Sequence, residues 1–347
     1  MASARFPAEA LARWVAGVLQ AHGVPADDAR LAGRVMVRAD ARGYSGHGLS
    51  RLQSYVGRLK DGGVTPAPAI DEQVRDGVVY FDGGGGLGQV VATRAMAAGL
   101  KIARDRAFVP VVLQDTGHLG AIGLFLLPAV EAGFVAFIAQ SAPPTMALPG
   151  SRGAAIGNSP LAFACPIPGA DPLLFDMSTS EVARGKVLIA AREGKPIPPT
   201  WAIDSEGNPT TDAVKAIAGA MLPLAGHKGI GLAMMIECLA GSLTGSPPLD
   251  PGFKASAATA GLGHRSAFML VINPDRFAER SAFDTHMRAW VSYYRKVSPG
   301  ARIPGHRAAA TERERMQKGI PVAQAILEEV RKVGNDAGQP FDLQPVG

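Results

Sequence analysis

Cysteine is scarce: Cys165 and Cys238 are the only two in 347 residues. Both fall in apolar runs and are expected as buried thiols. Such a pair offers neither a disulfide framework nor a zinc site of familiar spacing, and it suits a reducing cytosol. Aromatic residues make up only 6%, so the core must be built from Ala, Val, Leu, Ile and Met. Charged residues are few as well, 19% against 47% hydrophobic, which excludes global disorder. No apolar run reaches the roughly 18 residues of a membrane span. The nearest approach, 230–243, is interrupted by Glu237 and Gly241. No basic-then-apolar leader opens the chain, so a cytoplasmic location is expected. Internal repeats and low-complexity tracts are missing too. The net charge of +5 comes from scattered residues, with no Lys/Arg block interleaved with aromatics. A nucleic-acid partner is therefore not expected, whereas a mildly basic surface suits an anionic substrate or cofactor.

Glycine (42) and proline (27) are plentiful and punctuate the chain. Apolar residues at helical spacing predict helices over 7–23 and 29–41, with a third over 49–60. Gly62-Gly63 and Pro66-Ala67-Pro68 mark a boundary. Beyond it, strands (70–74, 78–81) and helices (89–106, 122–132) alternate, as in an α/β domain. Strands are also expected at 111–114, 134–140, 173–177 and 264–272. The stretches 141–164 and 247–263 read as loops, the latter as a flexible one. The most apolar helix covers 230–243. Further helices are expected over 182–192, 277–294 and 313–333.

The chain is organised around Asp115-Thr116-Gly117-His118-Leu119-Gly120, a glycine-rich turn between a buried strand and an apolar helical stretch. Proteins of α/β class place chemistry at such turns, and an imidazole there can exchange a proton near neutral pH. A histidine that merely fills the turn fits equally well. His47 and Arg51 lie four apart at a helix start and would share a face. Together they suit a 2-oxo acid, with the guanidinium on the carboxylate and the imidazole protonating the carbonyl oxygen. A solvated helix end is the plain alternative. Gly83, Gly85 and Gly88 match the G-x-G-x-x-G dinucleotide pattern, which a four-glycine run also meets by chance. Gly226-His227-Lys228-Gly229 opens a helix and offers N–H groups and a lysine to an anion, or simply an N-cap. Asp176-Met177-Ser178-Thr179-Ser180 ends a strand with groups that hold a ribose or amide, or cap the next helix.

The stretches ARGYSGHGLSRL, DTGHLGAIG, GNSPLAFACP, FDMSTSEVARGKV, IPPTWAIDSEGNPTTD, GHKGIGLAMMIECLAG and INPDRF occur in one order over nearly the whole chain. In this the sequence resembles the type-2 malate/L-lactate dehydrogenase family. That family also contains sulfolactate and ureidoglycolate dehydrogenases, a diketogulonate reductase and cyclic ketimine reductases. The resemblance implies an α/β fold with a non-Rossmann NAD(P)-binding domain on a mixed sheet, which demotes Gly83–Gly88 to a turn leading into a helix. It further implies a helical domain made from the N- and C-terminal segments (1–68 and 276–347 around 69–275), and a homodimer. By position, His47 and His118 match the family's active-site histidines and Arg51 its carboxylate clamp. Ser141, Asp176, Met177, Ser178, Lys228 and the turn Pro304-Gly305-His306 match its cofactor contacts, and Asn158 lies beside the site. Two departures stand out. Gly46 replaces the usual serine before the first histidine, and His306 replaces an acid or Gln, which favours a 2′-phosphate.

The expected activity is hydride transfer between NAD or NADP and C2 of a small 2-oxo or 2-hydroxy acid, with no metal. The alternative within the family is reduction of a cyclic imino acid. Outside it stand a metal-dependent hydrolase or lyase using His47, His118 and Asp115, and a non-catalytic binding protein.

Overall fold

The computed structural model describes residues 4–246 and 265–346, so the loop expected at 247–263 lies outside the described residues. Strand β1 (Ala4–Phe6) leads into helix α1 (Ala8–Gln20), which buries Leu11, Trp14, Val15, Val18 and Leu19, as the helical spacing requires. Helix α2 (Ala26–Ala41) follows, with Asp27 and Asp28 in its first turn, where the helix dipole favours acids. The expected third helix is preceded by two 3₁₀ turns, Ser45–His47 and Leu49–Arg51, before α3 (Leu52–Lys60) begins.

Strands β2 (Asp71–Arg75) and β3 (Val78–Gly86) form a hairpin. Strand β3 continues through the glycine run that matched the dinucleotide pattern. Gly83, Gly85 and Gly86 are strand residues, and only Gly88 opens the next helix, α4 (Gly88–Ala103). The run bulges instead: Gly84 and Gly85 take φ of 55° and 72°, and the register shifts between Asp82 and Gly86. Strand β4 (Phe108–Thr116) starts before Pro110; pairing with β3 begins only at Val111, so the missing proline N–H is not needed there. The helix expected over 122–132 is a 3₁₀ turn (Ile122–Leu126) followed by the short α5 (Leu127–Glu131).

Strands β5 (Val135–Gln140), β6 (Pro144–Met146), β7 (Ile156–Gly157), β8 (Leu161–Cys165) and β9 (Leu173–Met177) come next. Part of the loop expected over 141–164 is therefore strand. Its small residues (Ala162, Ala164) are strand-forming here because both faces of β8 are covered. Helix α6 (Arg184–Arg192), β10 (Ala202–Ile203), α7 (Ala213–Ala218), β11 (Ala220–Met221) and α8 (His227–Ile236) make a smaller lobe. A π turn, Glu237–Ser242, ends α8, and the exposed Cys238 sits on it, contrary to the buried thiol expected. Cys165 is buried, which pushes its thiol up to about 11. After β12 (Arg265–Ile272) and α9 (Arg280–Val297), the helix expected over 313–333 is two: α10 (His306–Lys318) and α11 (Gln324–Asp336). Gly319, at φ 86°, breaks it, and Ile320-Pro321-Val322 forms β13 in between.

A seven-stranded sheet runs β2-β3-β4-β12-β5-β8-β9, and a four-stranded one β10-β11-β6-β7. In the large sheet only β3 and β4 are parallel neighbours; every other pair is antiparallel, which makes the sheet mixed. Following the pairings, β3, β4, β5 and β9 all point one way. Their carboxyl ends share one rim with the amino ends of β8 and β12. Helix α4 and the 122–131 segment cover the sheet with Val91, Ala95, Met96, Ile122, Leu126 and Leu127. Helix α9 packs through Met287 and Val291 against Phe163 and Cys165 of β8. A second core joins both chain ends: α1, α2 and α3 bury Leu19, Met36 and Leu52 together with Leu327 and Val330 of α11. There β1 pairs with β13, and the Trp14 indole N–H donates to the Gln339 carbonyl at 3.2 Å.

Candidate active site

Strand β4 delivers His118 to the shared rim through Gly117, and Gly88 makes the approach possible. A Cβ on Gly88 would sit 2.4 Å from the His118 carbonyl oxygen, so α4 starts directly against this loop. Asp115 takes φ 45° at the end of β4, and β12 shifts register opposite it. The shift leaves Arg265 across from Thr116, one step from the His118 loop.

The helical side supplies the facing groups. His47 and Arg51 do not share an α-helical face; each ends one of the two 3₁₀ turns joined at Gly48. The turns are tied down locally. Arg51 Nε donates to the Gly46 carbonyl at 2.8 Å, and the Leu49 N–H donates to Asp40 Oδ2 at 2.8 Å. Gly48 lies so close to that carboxylate that a Cβ would meet it at 2.2 Å. The position of Gly46 has open space where a Cβ would stand.

These elements bring His47 and His118 together with ring centroids 6.0 Å apart. The Tyr55 hydroxyl, buried on α3, lies 3.0 Å from His118 Nδ1, with the two rings stacked at 6.2 Å. His47 Nδ1 is buried and has no hydrogen-bond partner among the described residues. Burial and then the Arg51 charge push His47 down to about 4. His118 is held well below its ordinary value, first by burial and then by Arg265, His47, Arg51 and Arg58. Both imidazoles are therefore neutral near pH 7 without ligand. The Tyr55 phenol is pushed up by burial, against a hydrogen bond with the Gln89 side chain and the pull of Arg51, Arg58 and Arg265. Arg265 falls to about 10 through burial and its neighbour Arg58. Among the described residues, no carboxylate is among the groups acting on either histidine.

The other expected positions spread along the same rim. Ser141 follows β5 and is buried, its hydroxyl 3.0 Å from that of Ser266. Asn158 leads into β8 and its N–H donates to Thr145 Oγ1 at 3.1 Å. Asp176, near the end of β9, accepts the Gly123 N–H at 2.8 Å; burial raises its carboxyl to about 6, against that bond. Met177 and Ser178 follow, with the Ser178 hydroxyl 3.1 Å from that of Ser180. Lys228 is exposed in the first turn of α8, which packs on this segment; the Leu224 N–H donates to the Thr179 carbonyl at 2.9 Å. Pro304-Gly305-His306 lies along the free edge of β9, where the Leu174 N–H donates to the Pro304 carbonyl at 3.0 Å. His306 is turned away, its Nε2 2.8 Å from the Asp171 carbonyl oxygen. The turn is not brought to the histidine pair. Among the described residues, His47, His118 and Asp115 do not gather into a metal-ligand cluster.

Sequence reasoning missed Tyr55, Arg58, Gln89 and Arg265. The first two were legible: Arg51, Tyr55 and Arg58 are spaced for one helix face. Gln89 follows Gly88 and lies near the turn at Gly120, where a Cβ would be 3.8 Å from Gln89 Nε2. Arg265 reaches the site only through sheet pairing, which no local pattern reveals.

A mixed sheet whose strand ends gather two neutral imidazoles and three guanidiniums is the site of an enzyme that handles small anions. The comparisons with known proteins agree. A family model described as malate/L-lactate dehydrogenase matches residues 6–331. A (2R)-3-sulfolactate dehydrogenase (NADP(+)) of Chromohalobacter salexigens is 36% identical over 319 residues, covering 90% of this chain and 93% of its own. A Delta(1)-pyrroline-2-carboxylate reductase of Pseudomonas fluorescens is 32% identical, covering 90% and 94%. The solved sulfolactate dehydrogenase of Methanocaldococcus jannaschii superposes with a TM-score of 0.86 at 28% identity, over 97% of this chain and 98% of that one. The chain belongs to the malate/L-lactate dehydrogenase family. It is an oxidoreductase that works with NAD or NADP.

Proposed function

We propose that the enzyme moves a hydride between the nicotinamide and C2 of a small 2-oxo or 2-hydroxy acid, with the two histidines and Arg51 as its working groups. The observation that carries this reading is the paired imidazoles, 6.0 Å apart, beside Arg51. The rim also fits a polar cofactor. His47 Nδ1 and Ser159 Oγ are buried there without partners among the described residues, and buried polar atoms are ordinarily paired.

The nicotinamide, when bound, supplies or takes the hydride. Ser141, Asp176, Met177, Ser178 and Lys228 would hold the cofactor, with Pro304, Gly305 and His306 as its outer wall. Arg51 holds the substrate carboxylate, and Asn158 stands beside it. His47 exchanges the proton on the substrate oxygen, since its Nδ1 is uncommitted. His118, whose Nδ1 is engaged by Tyr55, orients that oxygen by hydrogen bonding. Reduction of a cyclic imino acid, the activity in the name of one relative, is the second reading. Three guanidiniums disfavour a cationic iminium, so the electrostatics favour the oxo acid.

The antiparallel character of the sheet outside β3 and β4 supports a non-Rossmann cofactor domain over 69–275. The shared core of the chain ends supports a helical domain from 1–68 and 276–347. Exposed Met234, Met235 and Leu243, and exposed Leu188 and Ile189 on α6, support a homodimer. The unpaired cysteines support a reducing, cytoplasmic setting.

Oxidation of NADH and of NADPH, followed spectrophotometrically with pyruvate, oxaloacetate and Δ1-piperideine-2-carboxylate, tests the reading. Turnover of a 2-oxo acid is expected, and His47→Ala should lower it by roughly 10²–10⁴. Near-normal turnover in that variant would transfer the proton-carrying role away from His47.

A further inference from the structure

We propose that Tyr55 and Gln89 are positioning residues: the Tyr55 hydroxyl, held by the Gln89 amide, donates to His118 Nδ1 and so fixes His118 as the tautomer whose Nε2–H serves the substrate oxygen. This rests on the oxo-acid reading above and deepens it by assigning the proton of His118 and the groups that place it.

Three elements meet to build this chain of hydrogen bonds. Tyr55 lies on α3, Gln89 follows Gly88 at the start of α4, and His118 stands on the loop after β4. The Tyr55 and Gln89 side chains are both buried. Gly120, at φ 85°, leaves them the space beside the histidine loop. A Cβ there would lie 3.7 Å from Tyr55 Oη, 3.8 Å from Gln89 Nε2 and 3.8 Å from the His47 carbonyl oxygen.

A phenol and a neutral imidazole each have one proton to donate. Burial keeps the Tyr55 phenol protonated and His118 neutral. Their contact, 3.0 Å from Oη to Nδ1, can therefore run in two directions. The hydrogen bond between Gln89 and Tyr55 selects one of them. The amide nitrogen, which only donates, is the end of Gln89 that borders the shared space. The bond also works against the rise of the phenol's pKa, as an N–H given to its oxygen does. With its oxygen accepting from Gln89, the phenol gives its own proton to His118 Nδ1. The imidazole proton then sits on Nε2. Among the described residues no group bonds that nitrogen, and it is not one of the buried atoms left without a partner. It is the side of the ring open to a ligand. The Tyr55 ring, stacked at 6.2 Å and 30°, holds the imidazole plane.

Nitrogen NMR of protein isotope-labelled in its histidine rings reads the tautomer without any substrate. The His118 signals are assigned by their loss in His118→Gln. A protonated Nε2 and a bare Nδ1 are expected near neutral pH; a proton on Nδ1 overturns the proposal. In Tyr55→Phe, which keeps the ring, the two nitrogen signals should move toward each other as the tautomers mix. Kinetics with the faster of pyruvate and oxaloacetate read the consequence. Tyr55→Phe should lower kcat by about 100-fold at nearly unchanged KM, the cost of a misplaced group. Gln89→Met should lower it less, and the double variant should be no slower than Tyr55→Phe, because Gln89 acts through Tyr55. Unaltered kcat in Tyr55→Phe, or losses that multiply in the double variant, overturns the proposal. The expected spectrum with neither 2-oxo acid turned over would uphold the hydrogen-bond chain and reject only the oxo-acid reading.

Discussion

His47 and His118 differ in what their second nitrogen touches. Tyr55 commits His118 Nδ1 to a hydrogen bond, whereas His47 Nδ1 is left for a ligand or a neighbour. Both are held neutral, His47 at about 4, by burial and by positive charge. An anion placed among the arginines removes part of that repulsion and raises the imidazole pKa. Binding malonate at about pH 6 should therefore take up a fraction of a proton. Calorimetry in two buffers of different ionisation heat reads this directly; zero uptake would mean that the anion sits elsewhere. The pair was partly legible in the sequence, because both histidines stand in glycine-rich turns. Their convergence was not, since it depends on α4 and β4 meeting at Gly88. Cys238 shows the opposite failure: an apolar run says nothing about which side of a π turn faces outward.

At the scale of elements, the two 3₁₀ turns carrying His47 and Arg51 hang from the end of α2. Asp40 there is buried, and burial raises its carboxyl to about 7, against the Leu49 N–H bond and the nearby Arg315. A raised carboxyl is favourable while protonated in the fold and becomes a cost once ionised. Its contribution is thus full below the unfolded value near 4 and is lost as pH climbs to about 7. The loss amounts to about 4 kcal/mol at most. His47 runs the other way, gaining stability as pH rises from about 4 to its unfolded value. Asp40→Asn removes the first term alone. Urea unfolding at several pH values should show the variant gaining on the wild type as pH rises from about 4 to 7. Parallel curves would show that Asp40 is not buried as described. Sequence patterns found most elements but blurred their ends. The glycine run looked like a turn because four glycines seldom stay in a strand, and here a bulge keeps them there. The final helix looked continuous because its apolar spacing resumes after Gly319 and Pro321.

Across the whole molecule, the chain ends hold each other. Phe341 packs edge-on against Phe6 and Trp14, at 5.2 and 4.9 Å between ring centroids, and the Val346 N–H donates to the Arg5 carbonyl at 2.8 Å. Removing the residues after 338 should cost about 2–4 kcal/mol through these contacts and the lost indole acceptor. Thermal unfolding should fall by several degrees, and an unchanged midpoint would show the tail to be idle. None of this closure was visible locally, because β1 and β13 are short and lie at opposite ends of the sequence.

The same closure sets a timetable for synthesis. His47 precedes α11 by more than half of the 347 residues, yet α3, which follows His47, packs partly on α11. A nascent chain can assemble most of its sheet while the segment bearing the proton carrier still lacks its final support. The support of the His47 segment is thus completed only when α11 docks on α3.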